Sequence, residues 1–221
     1  MVRITLIIFL SIITQAITAQ EGNCQRTATF GDVGICLPLI TGYTEGYLDE
    51  FVKPMADATE SPMNSVLGFY LNNETYNSRA ALGTFAFDDY FKVYGTNELQ
   101  NVPIDGTMLN DMADLMNSNF IARNWSELKD AAGPIASMID IGTPVVIENY
   151  NLNDKSFTSI MLVKYQTDED HSFLMTMSIN GIQMQDRVIW MAYYLEYFDD
   201  NTVTQLKLAN NKILTRLQES N

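Results

Sequence analysis

The chain has 221 residues, with 13 Lys+Arg against 27 Asp+Glu and a formal net charge of −14. Hydrophobic residues make up 47% and charged ones 18%, which suits a globular protein and is too apolar for intrinsic disorder. The acidity argues against nucleic-acid or anionic-membrane partners, which need concentrated Lys and Arg; two cysteines and one histidine exclude a four-thiolate zinc site and a multi-histidine metal centre.

Met1-Val2-Arg3 is a short basic start, Ile4 to Ile13 an apolar run broken only by Thr5 and Ser11, and Gln15 to Ala19 a stretch with small residues. This is the layout of a secretory signal peptide cleaved after Ala19. The apolar run is about half of the roughly 20 residues a membrane-spanning helix needs. Glu21-Gly22-Asn23 before Cys24 is no lipoprotein box. Residues 1–19 are therefore expected to be a signal peptide. Residues 20–221 are expected to be a single globular domain, secreted or periplasmic and not membrane-embedded after cleavage. Cys24 and Cys36 are expected to form a disulfide in that oxidising compartment; two buried free thiols are the alternative. Their spacing is not the Cys-x-x-Cys of a redox pair.

Along the chain, an irregular N-terminal stretch holds at most one strand near residues 34–39. Ser65–Leu71 and Thr84–Tyr94 read as strands separated by a polar loop. Gly106-Thr107 opens a helix with Met108, Leu109, Met112, Leu115 and Met116 at helical spacing. Residues 125–132 and 134–139 suit short helices broken at Gly133-Pro134, and Thr143–Tyr150 suits a strand. Residues 156–165, 173–179 and 182–198 then read as a three-stranded antiparallel meander, with Asn180-Gly181 as the type I′ turn, because both central residues of that turn need positive φ. In the third strand Ile182, Met184, Val188 and Trp190 share a face by alternation. Thr202 to Gln205 has capping-box spacing with Thr202 at the N-cap. Val203, Leu206, Ile213 and Leu217, with Leu214 beside them, form the apolar stripe of a closing helix. Lys212 and Arg216 near its end suit the helix dipole. The fold class is α+β, an antiparallel sheet covered by helices.

The stretch Ser178-Ile-Asn-Gly-Ile-Gln through Trp190-Met-Ala-Tyr-Tyr to the helix at 202–218 resembles the ending of extracytoplasmic proteins of the PsbP-like group. The whole element order resembles their α/β/α sandwich. That resemblance implies a non-enzymatic interaction or assembly role and carries no functional residue across.

The chemistry-bearing motifs are sparse. No G-x-S-x-G, P-loop, G-x-G-x-x-G or H-E-x-x-H occurs, so no catalytic, cofactor-binding or metal-binding residue is assigned and no cofactor is expected. Asp168-Glu169-Asp170-His171 could hold a cation, yet Asp-rich hairpin loops are ordinarily solvated turns. Asp88-Asp89, inside an aromatic strand, reads as charge protection of an edge or as one wall of a ligand cleft with Phe87, Tyr90 and Phe91. Met161, Met175, Met177 and Met184 read as core filler. Asn73-Glu-Thr75 and Asn124-Trp-Ser126 match the N-glycosylation triplet. The expected function is a secreted or periplasmic non-enzymatic binding protein whose partner is an unknown protein or small ligand. The alternative is a small extracytoplasmic hydrolase using carboxylates and His171.

Overall fold

The computed structural model describes residues 24–82, 88–118, 120–130, 140–166 and 172–221. Strands β8 (Ser156–Gln166), β9 (Ser172–Met184) and β10 (Arg187–Glu196) form the antiparallel meander. The turn, however, lies elsewhere than expected. β9 runs straight through Asn180-Gly181, and the reversal falls at Gln185-Asp186, where φ is 47° and 56°. Neither residue is the Asn or Gly that this geometry usually selects. Asn180 and Gly181 serve packing instead. Asn180 is fully buried, and a Cβ on residue 181 would stand 2.4 Å from the Phe157 ring. The shifted turn also divides the expected third strand. Ile182 and Met184 belong to β9 and face one side of the sheet, while Val188 and Trp190 of β10 face the other.

The meander extends into a mixed-length antiparallel sheet. β3 (Tyr43–Glu45), β4 (Asn64–Asn72), β5 (Asp89–Thr96), β10, β9, β8 and β6 (Asp140–Ile141) follow in that order, and β7 (Val145–Asn153) also pairs with β8. The N-terminal stretch is more regular than its sequence suggests. β1 (Cys24–Phe30) and β2 (Val33–Pro38) form a separate two-stranded hairpin, and a disulfide joins Cys24 to Cys36.

Both faces of the sheet are covered. On one face the closing helix α6 (Asp200–Glu219) and the β1–β2 hairpin lie over Ile160, Ile182, Ile189, Met191 and Tyr193. Leu206, Ile213, Leu214 and Leu217 of α6 and Phe30, Ile35 and Leu37 of the hairpin are buried there. On the other face α1 (Lys53–Ala58) packs Val52 and Ala56 on Phe69 and Leu71. Helix α3 (Gly106–Asn117) sets Leu109 and Ala113 on Phe157 and Val188, and Ile121 of α4 (Phe120–Arg123) meets Met161, Val163 and Met177. Helices α2 (Asn73–Leu82) and α5 (Trp125–Asp130) complete the described elements. The protein is thus α+β, a large antiparallel sheet with a C-terminal helix. No helix among the described residues is long and apolar enough to cross a membrane.

The cap of α6 sits three residues upstream of the expected position. Asp199 is the N-cap and Thr202 is N3, each side chain bonding the other's end of the box. A carboxylate accepts from the first-turn N–H groups and also meets the positive end of the helix dipole, so it outcompetes a hydroxyl that would start the helix later.

The stripe of α6 is not wholly apolar. Asn210 is fully buried and forms a reciprocal amide pair with Asn180, each Nδ2 donating to the other's Oδ1 at 2.9 Å. Ser178 Oγ donates to Asn210 Oδ1 at 2.7 Å and Thr158 Oγ1 to Asn180 Oδ1 at 2.7 Å. Asn180 Nδ2 also donates to the Met191 carbonyl at 3.0 Å. A buried polar group is tolerated only when it is bonded in this way, and the match fixes which turn of α6 lies over which residue of β9.

Candidate functional site

One side of β4 is only half covered. β3 pairs with its C-terminal half, Tyr70 to Asn72, and Gly46 N–H closes the ladder on the Phe69 carbonyl at 2.9 Å. Beyond that point no strand among the described residues pairs with residues 64–67 on the side away from β5. Among the described residues β1 is likewise paired only on its β2 side. A slot of about 660 Å³ is lined by Arg26 to Thr29 of β1, by Asn64 to Leu67 of β4 and, below them, by Tyr47, Asp57 and Glu60. Along β1 and β4 its lining side chains are mostly small or short: Thr27, Ala28, Thr29, Ser65, Val66.

Register decides what the backbone offers there. The Met63 carbonyl accepts from Asn97 N–H and Ser65 lies opposite Gly95. Hydrogen-bonded pairs alternate in an antiparallel ladder, so Val66 turns its N–H and C=O away from β5, into the slot. A bulge between Val66 and Gly68 then brings the Leu67 carbonyl outward, where Arg26 Nη2 donates to it.

The ion pairs around the slot are rigid walls rather than reactive groups. Arg26 grips Glu45 through Nε at 2.7 Å and Nη2 at 2.9 Å, and Glu45 also accepts from the Tyr47 and Phe69 N–H groups. Lys92, nearly buried, holds Glu60 at 2.7 Å and donates to the Thr59 carbonyl at 2.9 Å. Such fork and buried pairs position side chains firmly.

The Asp88-Asp89 pair is not at an edge. β5 lies between β4 and β10 in the sheet interior, so charge protection of an edge does not explain it. Asp89 Oδ1 accepts from Tyr43 Oη at 2.6 Å, and Tyr43 and Tyr193 share a hydroxyl–hydroxyl bond of 3.0 Å. Burial pushes the Asp89 carboxyl above the ordinary aspartate range against the pull of the two phenols. Burial also raises Tyr43 and Tyr193, and Tyr165 to about 12, so these phenols stay protonated at neutral pH. Of the ligand cleft that the sequence offers around this pair, Tyr90 and Phe91 are buried on opposite sides of β5, and Phe87 lies outside the described residues. The structure therefore assembles Tyr43, Asp89 and Tyr193, a constellation in which Asp89 alone was singled out from sequence. Its other members come from strands 46 and 104 residues away, beyond any local pattern.

Asp168, Glu169, Asp170 and His171 lie outside the described residues, as do residues 1–23 and the expected helix at 134–139. Among the described residues no group of three or more His, Cys, Asp or Glu is placed to hold a metal ion. Met161, Met175, Met177 and Met184 are buried in the sheet. Asn73 is exposed at the start of α2 and accepts from Thr44 Oγ1 at 2.9 Å, whereas half-buried Asn124 donates to the Phe120 carbonyl at 2.8 Å. A second cleft, of about 550 Å³, separates residues 39–43 from α6.

No protein-family model, no characterised protein and no solved structure matches this chain.

Proposed function

We propose that the protein is an extracytoplasmic, non-enzymatic binding module that takes an extended polypeptide segment of a partner into the slot between β1 and β4. The observation that supports this reading is the outward-facing backbone of Val66 beside the free edge of β1. A segment there gains main-chain bonds, as in strand addition to an open sheet edge. The opposite edge of the sheet is less suited. β7 is interrupted by irregularities at residues 146–148 and 150–153, and bulges of that kind blunt an edge against pairing. Export by cleavage after Ala19 accords with the disulfide, since disulfides persist in oxidising compartments. The α/β/α layering and closing helix accord with a PsbP-like assembly role.

The test begins with random ten-residue peptides displayed on phage and selected on residues 20–221. Selected peptides should slow amide exchange at residues 26–29 and 64–67. Val66→Pro removes one outward N–H on an edge position where proline is tolerated. It should abolish peptide binding while the melting temperature stays close to that of the parent. Peptides that bind Val66→Pro equally well, or that protect other amides, would refute the reading.

A further inference from the structure

The cleft between residues 39–43 and α6 is built differently from the slot and stands independently of it. Its floor and sides are Ile40, Ala209 and Ile213. Its lips carry Leu39 and Leu208, which are 64% and 58% exposed. Two cations, Lys212 and Arg216, stand along one side, and among the described residues lining it there is no carboxylate.

That charge is out of keeping with the rest of the molecule. The chain carries 27 acids against 13 bases, and most described cations are committed to carboxylates: Arg26 to Glu45, Lys53 to Asp57, Arg79 to Asp49, Lys92 to Glu60, Arg187 to Asp32 and Lys207 to Glu148. Among the described residues Lys212 and Arg216 make no ion pair. They are also four residues apart on one helix, a spacing at which like charges repel. The helix dipole accounts for Arg216, which lies in the last turn of α6. It does not account for Lys212, because the effect fades beyond that turn. Two adjacent, uncommitted cations over an apolar trough of ligand size describe a complement to an apolar chain ending in a negative charge.

We infer that this cleft binds a single-chain amphiphile with an anionic head, such as a long-chain fatty acid, with the chain along Ile40, Ala209 and Ile213 and the carboxylate between Lys212 and Arg216.

Isothermal titration of residues 20–221 with dodecanoate, below its micelle-forming concentration, tests this against dodecyltrimethylammonium, which has the same chain and the opposite charge. Dodecanoate should bind with one-to-one stoichiometry and the cationic amphiphile markedly more weakly. The double variant Lys212→Gln/Arg216→Gln changes one exposed and one half-buried side chain, neither in an ion pair among the described residues, and should keep its melting temperature. It should bind dodecanoate roughly tenfold more weakly, the scale of two surface charge contacts. Ala209→Trp, which fills the trough, should abolish binding. The inference is overturned if dodecanoate does not bind, if both amphiphiles bind alike, or if neither variant changes the affinity. A failure here leaves Val66→Pro and the β1–β4 slot unaffected, so the two readings fail separately.

Discussion

Replacing Asn210 tests what docks the closing helix. Its side chain takes part in four bonds: from Ser178 Oγ, to and from the Asn180 amide, and to Tyr150 Oη at 3.3 Å. After Asn210→Leu the space is filled but the bonds are gone. Asn180 still donates to Met191 and still accepts from Thr158. The Ser178 hydroxyl, fully buried, loses its acceptor. The orphaned Ser178 donor costs about 1–3 kcal/mol and each of the other three lost bonds about 1 kcal/mol, so the variant should lose about 4–6 kcal/mol. For a domain of this size that is a fall of roughly 8–24 °C in melting temperature. Adding Ser178→Ala removes the orphan, so the double variant should be as stable as Asn210→Leu or more stable, although Ser178→Ala alone destabilises. Urea unfolding followed by far-UV circular dichroism measures all four proteins. If Asn210→Leu leaves the midpoint unmoved, or if Ser178→Ala adds its full cost to it, the amide network does not hold α6 to the sheet.

Two further outcomes are expected. A Cβ on residue 95 would lie 2.3 Å from the Phe30 ring, so Gly95→Ala should cost about 1–3 kcal/mol by overpacking; Phe30→Leu in the same chain should recover part of that loss in a thermal melt, and additive losses would count against the contact. Asp89 has a folded-state pKa above its unfolded value, so the folded state holds the extra proton and its relative stability falls as pH rises from the ordinary aspartate value of about 3.9. Asn cannot titrate, so Asp89→Asn should gain on the parent as pH is raised from 3 to 7; a constant or opposite difference would contradict the assigned burial.

The legible parts of the sequence were those where one local rule acted alone. The β-branched and aromatic run at 156–165 and the stripe of Leu206, Ile213 and Leu217 found the meander and the helix that covers it. Asn180-Gly181 misled because the same two residues satisfy a turn and a crowded, polar core position, and only the neighbours Phe157 and Asn210 decide between them. The polar stripe member Asn210 was invisible for the same reason. α1 was missed because its six residues are too few to display a period. β1 was missed because its Thr-rich strand has no long apolar run. Neither cleft was legible. Each joins segments distant in sequence, residues 26–29 with 64–67 and residues 39–43 with 205–216, and only the folded sheet makes them neighbours.

The β1–β2 hairpin has a bearing on the order in which the molecule assembles. Its Cys24–Cys36 link spans 12 residues and needs nothing beyond the hairpin itself. Arg26 ties it to nearby Glu45 and to the Leu67 carbonyl, but its other anchors come from far along the chain: Arg187 reaches Asp32 at 2.5 Å across 155 positions, and Asn221 bonds both the N–H and the carbonyl of Cys36 across 185. In a chain made from its N-terminus these distant anchors can close only after β10 and α6 exist. Contacts so distant in sequence slow folding. Closing the disulfide early would keep the ribbon in shape through that interval, as a finished part waiting for the frame that receives it.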